Sequence, residues 1–479
     1  MLFNSLEFAI FFPLVTGVFF LLPQRWRVHW LLVASCVFYM AFIPAYILIL
    51  LVTILIDYSA GIYLEKVEGK KRKWLLWVSI LSTCTVLFIF KYFGFFTGSF
   101  VGFAGLFGWH LSRPVINIIL PIGLSFHTFQ SLSYVVEVYR GNQKAEKNFV
   151  VYSTYVMFFP QLVAGPIERP QHLLHQFREW HDFNYANVTE GLKRMAWGFF
   201  KKLVVADRLA LYVNDVYASP RSHNGLQLTV ATVFFAYQIY CDFSGYSDIA
   251  IGAAQVLGFR LMENFRTPYY ALSTSEFWRR WHISLSTWFK DYVYVPLGGS
   301  RVSEKRHILN LLITFSVSGL WHGANWTYVI WGALNGVYLV AGFRTKALRN
   351  SIFGSVGLGE ETTVRKGIML ASTFILTCVA WIVFRARNIG DATYVFTHLA
   401  SKWDFHQLST DQFLLRQFPV ALGSILALEI GQYLSGTTSS PRIVGKMPMP
   451  ARWALYASFV MAVLMLGVYK QMQFIYFQF

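Results

Sequence analysis

Apolar runs long enough to cross a bilayer alternate along this chain with short basic clusters. The first run, Phe8 to Leu22, has Glu7 before it and Arg25 and Arg27 after it. No small-residue cleavage site ends it, so it reads as an uncleaved span with its N-terminus outside. Trp30 to Ile56 is too long for one crossing and contains Pro44, which breaks a helix. Two short spans that leave the cytoplasm and return account for it. The return delivers Lys70-Lys71-Arg72-Lys73 to the side of Arg25 and Arg27, as cytoplasmic retention of basic loops requires. Trp74 to Phe96 leaves again, with Lys91 able to snorkel at its far end.

From about Pro114 to Pro170 the apolar segments are broken by Pro121, Pro160 and Pro166. Such breaks are tolerated in lipid where the freed backbone groups face protein or a water-filled cavity, so broken helices lining a cavity are expected. Glu190 to Tyr212 mixes Arg194, Lys201, Lys202, Asp207 and Arg208 with apolar residues and reads as an interfacial helix. Leu228 to Phe259 is long enough to cross yet carries Asp242 and Asp248, and Ser275 to Val295 is aromatic and amphipathic. Ile308 to Phe343 has basic residues at both ends. If both ends are cytoplasmic, the segment is a helical hairpin with its turn near Gly319 to Asn325. Spans near Ile368 to Phe384, Leu414 to Leu434 and Trp453 to Tyr469 complete the chain. With no internal repeat and no folded soluble part, the expectation is a single polytopic, all-α membrane domain over residues 1–479. It would have roughly ten or more spans, several broken or re-entrant.

Composition agrees. Of 479 residues, 55% are hydrophobic and only 14% charged, with mean hydropathy +0.45. A soluble domain carries about a quarter of its residues as charges, so this chain could not cover its own surface in water. A disordered chain, a disulfide scaffold and a secreted soluble enzyme are excluded. The 41 Lys and Arg against 24 Asp and Glu give a formal charge of +17. Because the basic residues sit in short clusters between apolar runs, membrane topology explains the excess and no nucleic-acid partner is expected. Cys36, Cys84, Cys241 and Cys378 are widely spaced inside apolar runs, without a C-x-x-C pair, and read as ordinary buried side chains.

An ionisable group inside a span costs a few kcal/mol on insertion scales, so each one invites a functional reading. The sharpest is His322 in Ser318-Gly319-Leu320-Trp321-His322-Gly323-Ala324-Asn325-Trp326, a lone imidazole in a long apolar stretch. It suits a general base near neutral pH, and equally a structural histidine bonded between helices. In Glu276-Phe277-Trp278-Arg279-Arg280-Trp281-His282, the guanidinium groups of Arg279 and Arg280 suit phosphates, or lipid headgroups in a belt helix. Nothing in a belt requires His282. Asp242, mid-span, must be protonated, paired or facing water; it could orient a histidine or form a structural ion pair. His172, His175 and His181 lack a recognisable ligand spacing, so no metal is expected. Nucleophile elbow, P-loop and dinucleotide motifs are all absent. Gly332-x-x-x-Gly336 fits a helix-packing face.

These residues together resemble the membrane-bound O-acyltransferase family, and within it the bacterial branch that O-acetylates alginate and other exported polysaccharides. The matching stretches are Leu120-Pro121-Ile122-Gly123-Leu124-Ser125-Phe126 with Thr128-Phe129-Gln130, and Phe159-Pro160-Gln161-Leu162-Val163-Ala164-Gly165-Pro166-Ile167. They continue with Asp242-Phe243-Ser244-Gly245-Tyr246-Ser247-Asp248-Ile249-Ala250, Phe277-Trp278-Arg279-Arg280-Trp281-His282-Ile283-Ser284-Leu285, Trp321-His322-Gly323, and the C-terminal Gln473-Phe474-Ile475-Tyr476-Phe477-Gln478-Phe479. The family-matching core is about residues 115–343. The resemblance implies an all-helical funnel in the bacterial inner membrane, with His322 as catalytic histidine and His282 as second active-site position. Asp242, Asn325 and Trp321 would support them, and Arg279 and Arg280 would bind the donor. It further implies an acyl thioester at the cytoplasmic mouth, with acetyl-CoA as donor and no bound cofactor. A separate periplasmic acetyltransferase or carrier protein would pass the acetyl group to the polymer. The competing classes are an ion- or solute-translocating transporter, which often shows an inverted repeat not seen here, and a scaffold that recruits an exported enzyme.

Overall fold

Proline breaks the second apolar run, Trp30 to Ile56, where expected. The computed structural model describes residues 1–112, 121–163, 165–401, 403–404, 412–435, 447–469 and 474–475. It places one helix over Gln24–Met40 and the next over Tyr46–Lys66, with Pro44 in the bend between them. Expectations that fall on residues 113–120, on Ala164, on Gln473 and on residues 476–479 lie outside the described residues. Among the described residues every regular element is helical. Tyr46–Lys66, Gly69–Gly105, Thr363–Arg385 and Met449–Leu466 are long and apolar enough to cross a membrane, and Leu6–Leu21 is a shorter apolar helix. Cys84 is exposed on the second of these and Cys36 half-buried, so the expectation of four buried thiols holds only for Cys241 and Cys378. A thiol is apolar enough to face lipid as readily as a core.

The helices gather into two compact units. The first comprises Met1–Met195 with Ile249–Met262, the second Ala196–Asp248 with Glu263–Phe479. In the first unit, Gly61 lets Tyr134 approach closely: a Cβ at Gly61 would lie 2.6 Å from the phenol oxygen. The expected break at Pro160 is present. Phe149–Met157 ends at Phe158, and a short turn, Phe159–Leu162, follows. Side chains meet two of the backbone groups freed there, and the Phe158 carbonyl accepts from Gln161 N and Leu162 N. Ser35 Oγ accepts from Phe159 N at 3.0 Å, while Gln130 and Gln161 donate to the Tyr155 carbonyl at 2.5 and 2.6 Å. Broken backbone is thus satisfied by protein, as lipid demands.

The second unit contains the helical hairpin. Glu304–His322 and Trp326–Arg344 are joined by Gly323, Ala324 and Asn325, within the interval expected. The two helices pack through glycine. A Cβ on Gly319 would come within 3.1 Å of Gly332 Cα, and one on Gly336 within 3.2 Å of Leu312. Small residues let backbones close on one another where the hydrophobic effect offers no drive between helices.

The stretch Glu190 to Tyr212 is not the interfacial helix expected. It forms part of Tyr185–Phe199, a π-helical stretch Phe200–Ala206, and Asp207–Ala218. Lys201, Lys202 and Asp207 are buried rather than at a headgroup surface. The reason is pairing: Lys202 Nζ lies 2.7 Å from Asp207 and 2.6 Å from Asp242, and Lys201 Nζ lies 2.7 Å from Asp248. The carboxylates expected to be costly within the next span supply the countercharges.

Candidate active site

His322 is the last residue of Glu304–His322 and is buried. Its Nδ1 lies 2.7 Å from the carbonyl oxygen of Ser318, one turn back. A carbonyl only accepts, so in the neutral ring Nδ1 carries the hydrogen and Nε2 presents a lone pair. A side chain in the last helical turn reaches such a carbonyl without disturbing the helix. Three aromatic rings wall the imidazole: Trp321 at 4.9 Å, Trp331 at 4.9 Å and Phe384 at 5.8 Å between centroids. All three meet it edge to face.

His282 is fully buried at the junction that splits Ser275 to Val295 into two short helices, Thr274–Arg280 and Ile283–Phe289. Its backbone is left-handed, with φ 42° and ψ 55°. That conformation is uncommon outside glycine and costs a β-carbon clash. Asn264 holds it in place. The Asn264 carbonyl accepts from Ile283 N at 2.9 Å, and its side-chain oxygen accepts from Ser284 N at 3.3 Å and Ser284 Oγ at 3.0 Å. Asn264 Nδ2 in turn donates to Ser247 Oγ at 3.1 Å. Asn264 carries no sequence signal: it is a polar residue in a loop, outside any periodic pattern.

The two histidines meet through Trp321, whose ring centroid lies 6.2 Å from that of His282 and 4.9 Å from that of His322. A second aromatic route joins them: Trp281 contacts Trp381 at 5.1 Å, and Trp381 stacks on Trp331 at 5.7 Å. Buried rings of this kind exclude water and fix imidazole orientation, which is what a proton-transfer centre requires.

The remaining residues take different places. Asp242 pairs with Lys202 at 2.6 Å, and its Oδ2 accepts from Ile475 N at 2.7 Å. Of the two roles open to it in the sequence, these contacts fill the ion pair. It nevertheless touches the site through its neighbour, because Phe243 packs on His282 at 4.5 Å and on Phe474 at 5.7 Å. Asn325 caps Trp326–Arg344 by accepting from Thr327 N at 3.1 Å, and donates to the Arg387 carbonyl at 3.2 Å. Arg280 is held by Glu276 at 2.7 Å and Thr267 Oγ1 at 3.3 Å, whereas Arg279 is exposed and reaches only Ser275 Oγ, at 3.4 Å, among the bonds resolved for it. The His172, His175 and His181 rings go to separate partners: Glu168 at 2.7 Å, Glu179 at 3.5 Å and the Gln176 carbonyl at 2.7 Å.

Similarity to known proteins bears on this arrangement. The sequence model described as MBOAT, membrane-bound O-acyltransferase family, matches residues 145–354, which include both histidines. A Pseudomonas aeruginosa protein named probable alginate O-acetylase is 36% identical over 417 residues, covering 85% of this chain and 77% of that protein. A Helicobacter pylori peptidoglycan O-acetyltransferase is 33% identical over 395 residues, 76% of this chain and 72% of its own. The teichoic acid D-alanyltransferase of Bacillus subtilis is 26% identical over 287 residues, 57% and 71% of the two chains. Each name describes transfer of an acyl group. With this identity over most of its length, the chain is an acyltransferase and belongs to the membrane-bound O-acyltransferase family.

Proposed function

We propose that the chain transfers an acetyl group from a cytoplasmic thioester, acetyl-CoA, to a hydroxyl acceptor, and so supplies O-acetylation of an exported polysaccharide such as alginate. One observation carries the chemistry. His322 Nδ1 is engaged by the Ser318 carbonyl, which leaves Nε2 as the basic nitrogen in a buried aromatic enclosure. In the proposed step, Nε2 takes the hydroxyl proton as the oxygen attacks the thioester carbonyl carbon. The tetrahedral intermediate then collapses, the C–S bond breaks, and the imidazolium returns the proton to the leaving thiolate. His282 lies across Trp321 and supports the imidazolium that forms. Arg279, exposed, receives donor phosphates; Asp242 and Asn325 act at one remove, through Phe243 and the cap of the second hairpin helix. The names of the relatives support the substrate class. The chain would lie in the bacterial inner membrane as a funnel of roughly ten or more crossings, and a separate periplasmic acetyltransferase or carrier protein would take the acetyl group onward.

The test is acetyl transfer by the purified protein in nanodiscs, with His322→Gln beside the native chain. Glutamine keeps hydrogen-bonding capacity but cannot take the proton. General-base catalysis contributes about 10²–10⁴-fold, so transfer should fall to the detection limit while thermal stability stays near native. A folded His322→Gln protein that transfers at a near-native rate would sink the reading.

A further inference from the structure

The first unit buries a carboxylate that acyl transfer leaves without a role. Asp57 sits in the apolar helix Tyr46–Lys66 and is fully buried. Ser79 Oγ donates to its Oδ1 at 2.8 Å, and Thr83 Oγ1 reaches Oδ1 at 3.1 Å and Oδ2 at 3.2 Å. Ser131 lies beside both the carboxylate and the phenol of Tyr152. Ser131 and Tyr152 are fully buried too, and neither hydroxyl makes a hydrogen bond of ordinary geometry among the described residues. Among those residues no Lys, Arg or His forms an ion pair with the Asp57 carboxylate, and its hydrogen-bond donors are hydroxyls. The five side chains come from four helices: Tyr46–Lys66, Gly69–Leu87, Leu124–Arg140 and Phe149–Met157.

A carboxylate in a membrane span needs a proton, a basic partner or a bound cation. Among the described residues no basic partner is present and the polar atoms around the carboxylate are oxygens, the ligand chemistry of a hard cation. A hydroxyl can turn its hydrogen outward and offer lone pairs instead, so Ser131 and Tyr152 can present oxygen ligands to an ion. One carboxylate neutralises one positive charge, so a divalent ion would leave a net charge buried. An oxygen-only lining around a single carboxylate suits a small, hard monovalent ion. We propose that Asp57, Ser79, Thr83, Ser131 and Tyr152 form a site for a monovalent cation, sodium. The ion would tie the first apolar spans to the helix that leads into the Pro160 break.

The experiment uses the full chain in nanodiscs, with thermal unfolding followed in sodium chloride and in choline chloride at equal ionic strength. The midpoint should rise saturably with sodium, and Asp57→Asn should lose that response. Ser131→Ala keeps the carboxylate and should raise the half-saturating sodium concentration several-fold, which decides the matter if Asp57→Asn fails to fold. A native midpoint equal in sodium and choline overturns the proposal and identifies a protonated carboxyl. So does a sodium response that survives in a folded Asp57→Asn protein.

Discussion

Asn264 accepts both the backbone N–H and the hydroxyl of Ser284, at 3.3 and 3.0 Å, and so fixes the chain just beyond His282. The left-handed backbone at His282 costs roughly 1–2 kcal/mol and persists because its surroundings over-determine it. Truncation to Asn264→Ala leaves the buried Ser284 groups without this acceptor. The expected loss is about 1–3 kcal/mol of stability, read as a lower unfolding midpoint, together with reduced acyl transfer. Asn264→Asp keeps the acceptor and should restore part of both. Native transfer by a folded Asn264→Ala protein would show that the clamp does not serve the site.

His282→Gly separates backbone from side chain. Glycine adopts positive φ without the β-carbon clash, so it should be more stable here than His282→Ala by about 1 kcal/mol. Both should lose acyl transfer, because neither supplies an imidazole. A Gly variant less stable than the Ala variant would mean that the backbone at 282 is not strained as described.

Several features of the fold are legible in the sequence itself. Proline at 44 and 160 and the glycines around Trp321-His322-Gly323 mark breaks and a close helical crossing, and each has a local cause that one sequence carries. The helices Gln24–Met40, Tyr46–Lys66, Glu304–His322 and Trp326–Arg344 accordingly lie where the apolar pattern puts them. Pairing is what the pattern hides. Hydropathy registers the cost of Asp242 and of Lys202 separately, yet no local pattern says that each resolves the other. The same blindness makes Glu190 to Tyr212 look interfacial, because a charged helix among apolar residues reads alike whether its charges face headgroups or buried partners. The roles of Asn264 and of the His282 backbone are invisible for a related reason: both depend on a loop returning to a site distant in sequence.

The lysine pairs predict an ordering. Lys202→Met takes the lysine partner from two buried carboxylates, Asp207 and Asp242, while Lys201→Met takes it from one, Asp248. Removing one partner of a buried pair costs about 3–5 kcal/mol. Lys202→Met should therefore give the lower folded yield and the lower unfolding midpoint in detergent. Equal behaviour of the two variants would mean that Asp207 is neutral in the folded protein.

Sidedness is open to direct measurement. Lys70 to Lys73, Arg301 to Arg306 and Arg344 to Arg349 should all face the cytoplasm, since positive loops are retained there. Both ends of the Glu304–His322 and Trp326–Arg344 hairpin then lie on one side. Single cysteines in the three loops, placed in a chain lacking its native cysteines, should resist impermeant thiol reagents in intact cells. Labelling from outside at any one of them would break the proposed topology.

The two arginines beside His282 should differ. Arg280 is already committed to Glu276 and Thr267, whereas Arg279 is exposed. A guanidinium grips phosphate through two parallel N–H bonds, and an ammonium keeps the charge but loses the fork. Loss of one charge-assisted bond of about 1.5 kcal/mol corresponds to roughly tenfold in affinity. Arg279→Lys should thus weaken binding of the thioester donor roughly tenfold with little change in turnover at saturating donor. Arg280→Lys should instead disturb the Thr274–Arg280 helix, whose last turn it anchors, and lower the unfolding midpoint more than donor affinity. Isothermal titration with a non-reactive donor analogue, alongside thermal unfolding, reads both effects. Unchanged donor affinity in Arg279→Lys would return this residue to the lipid belt.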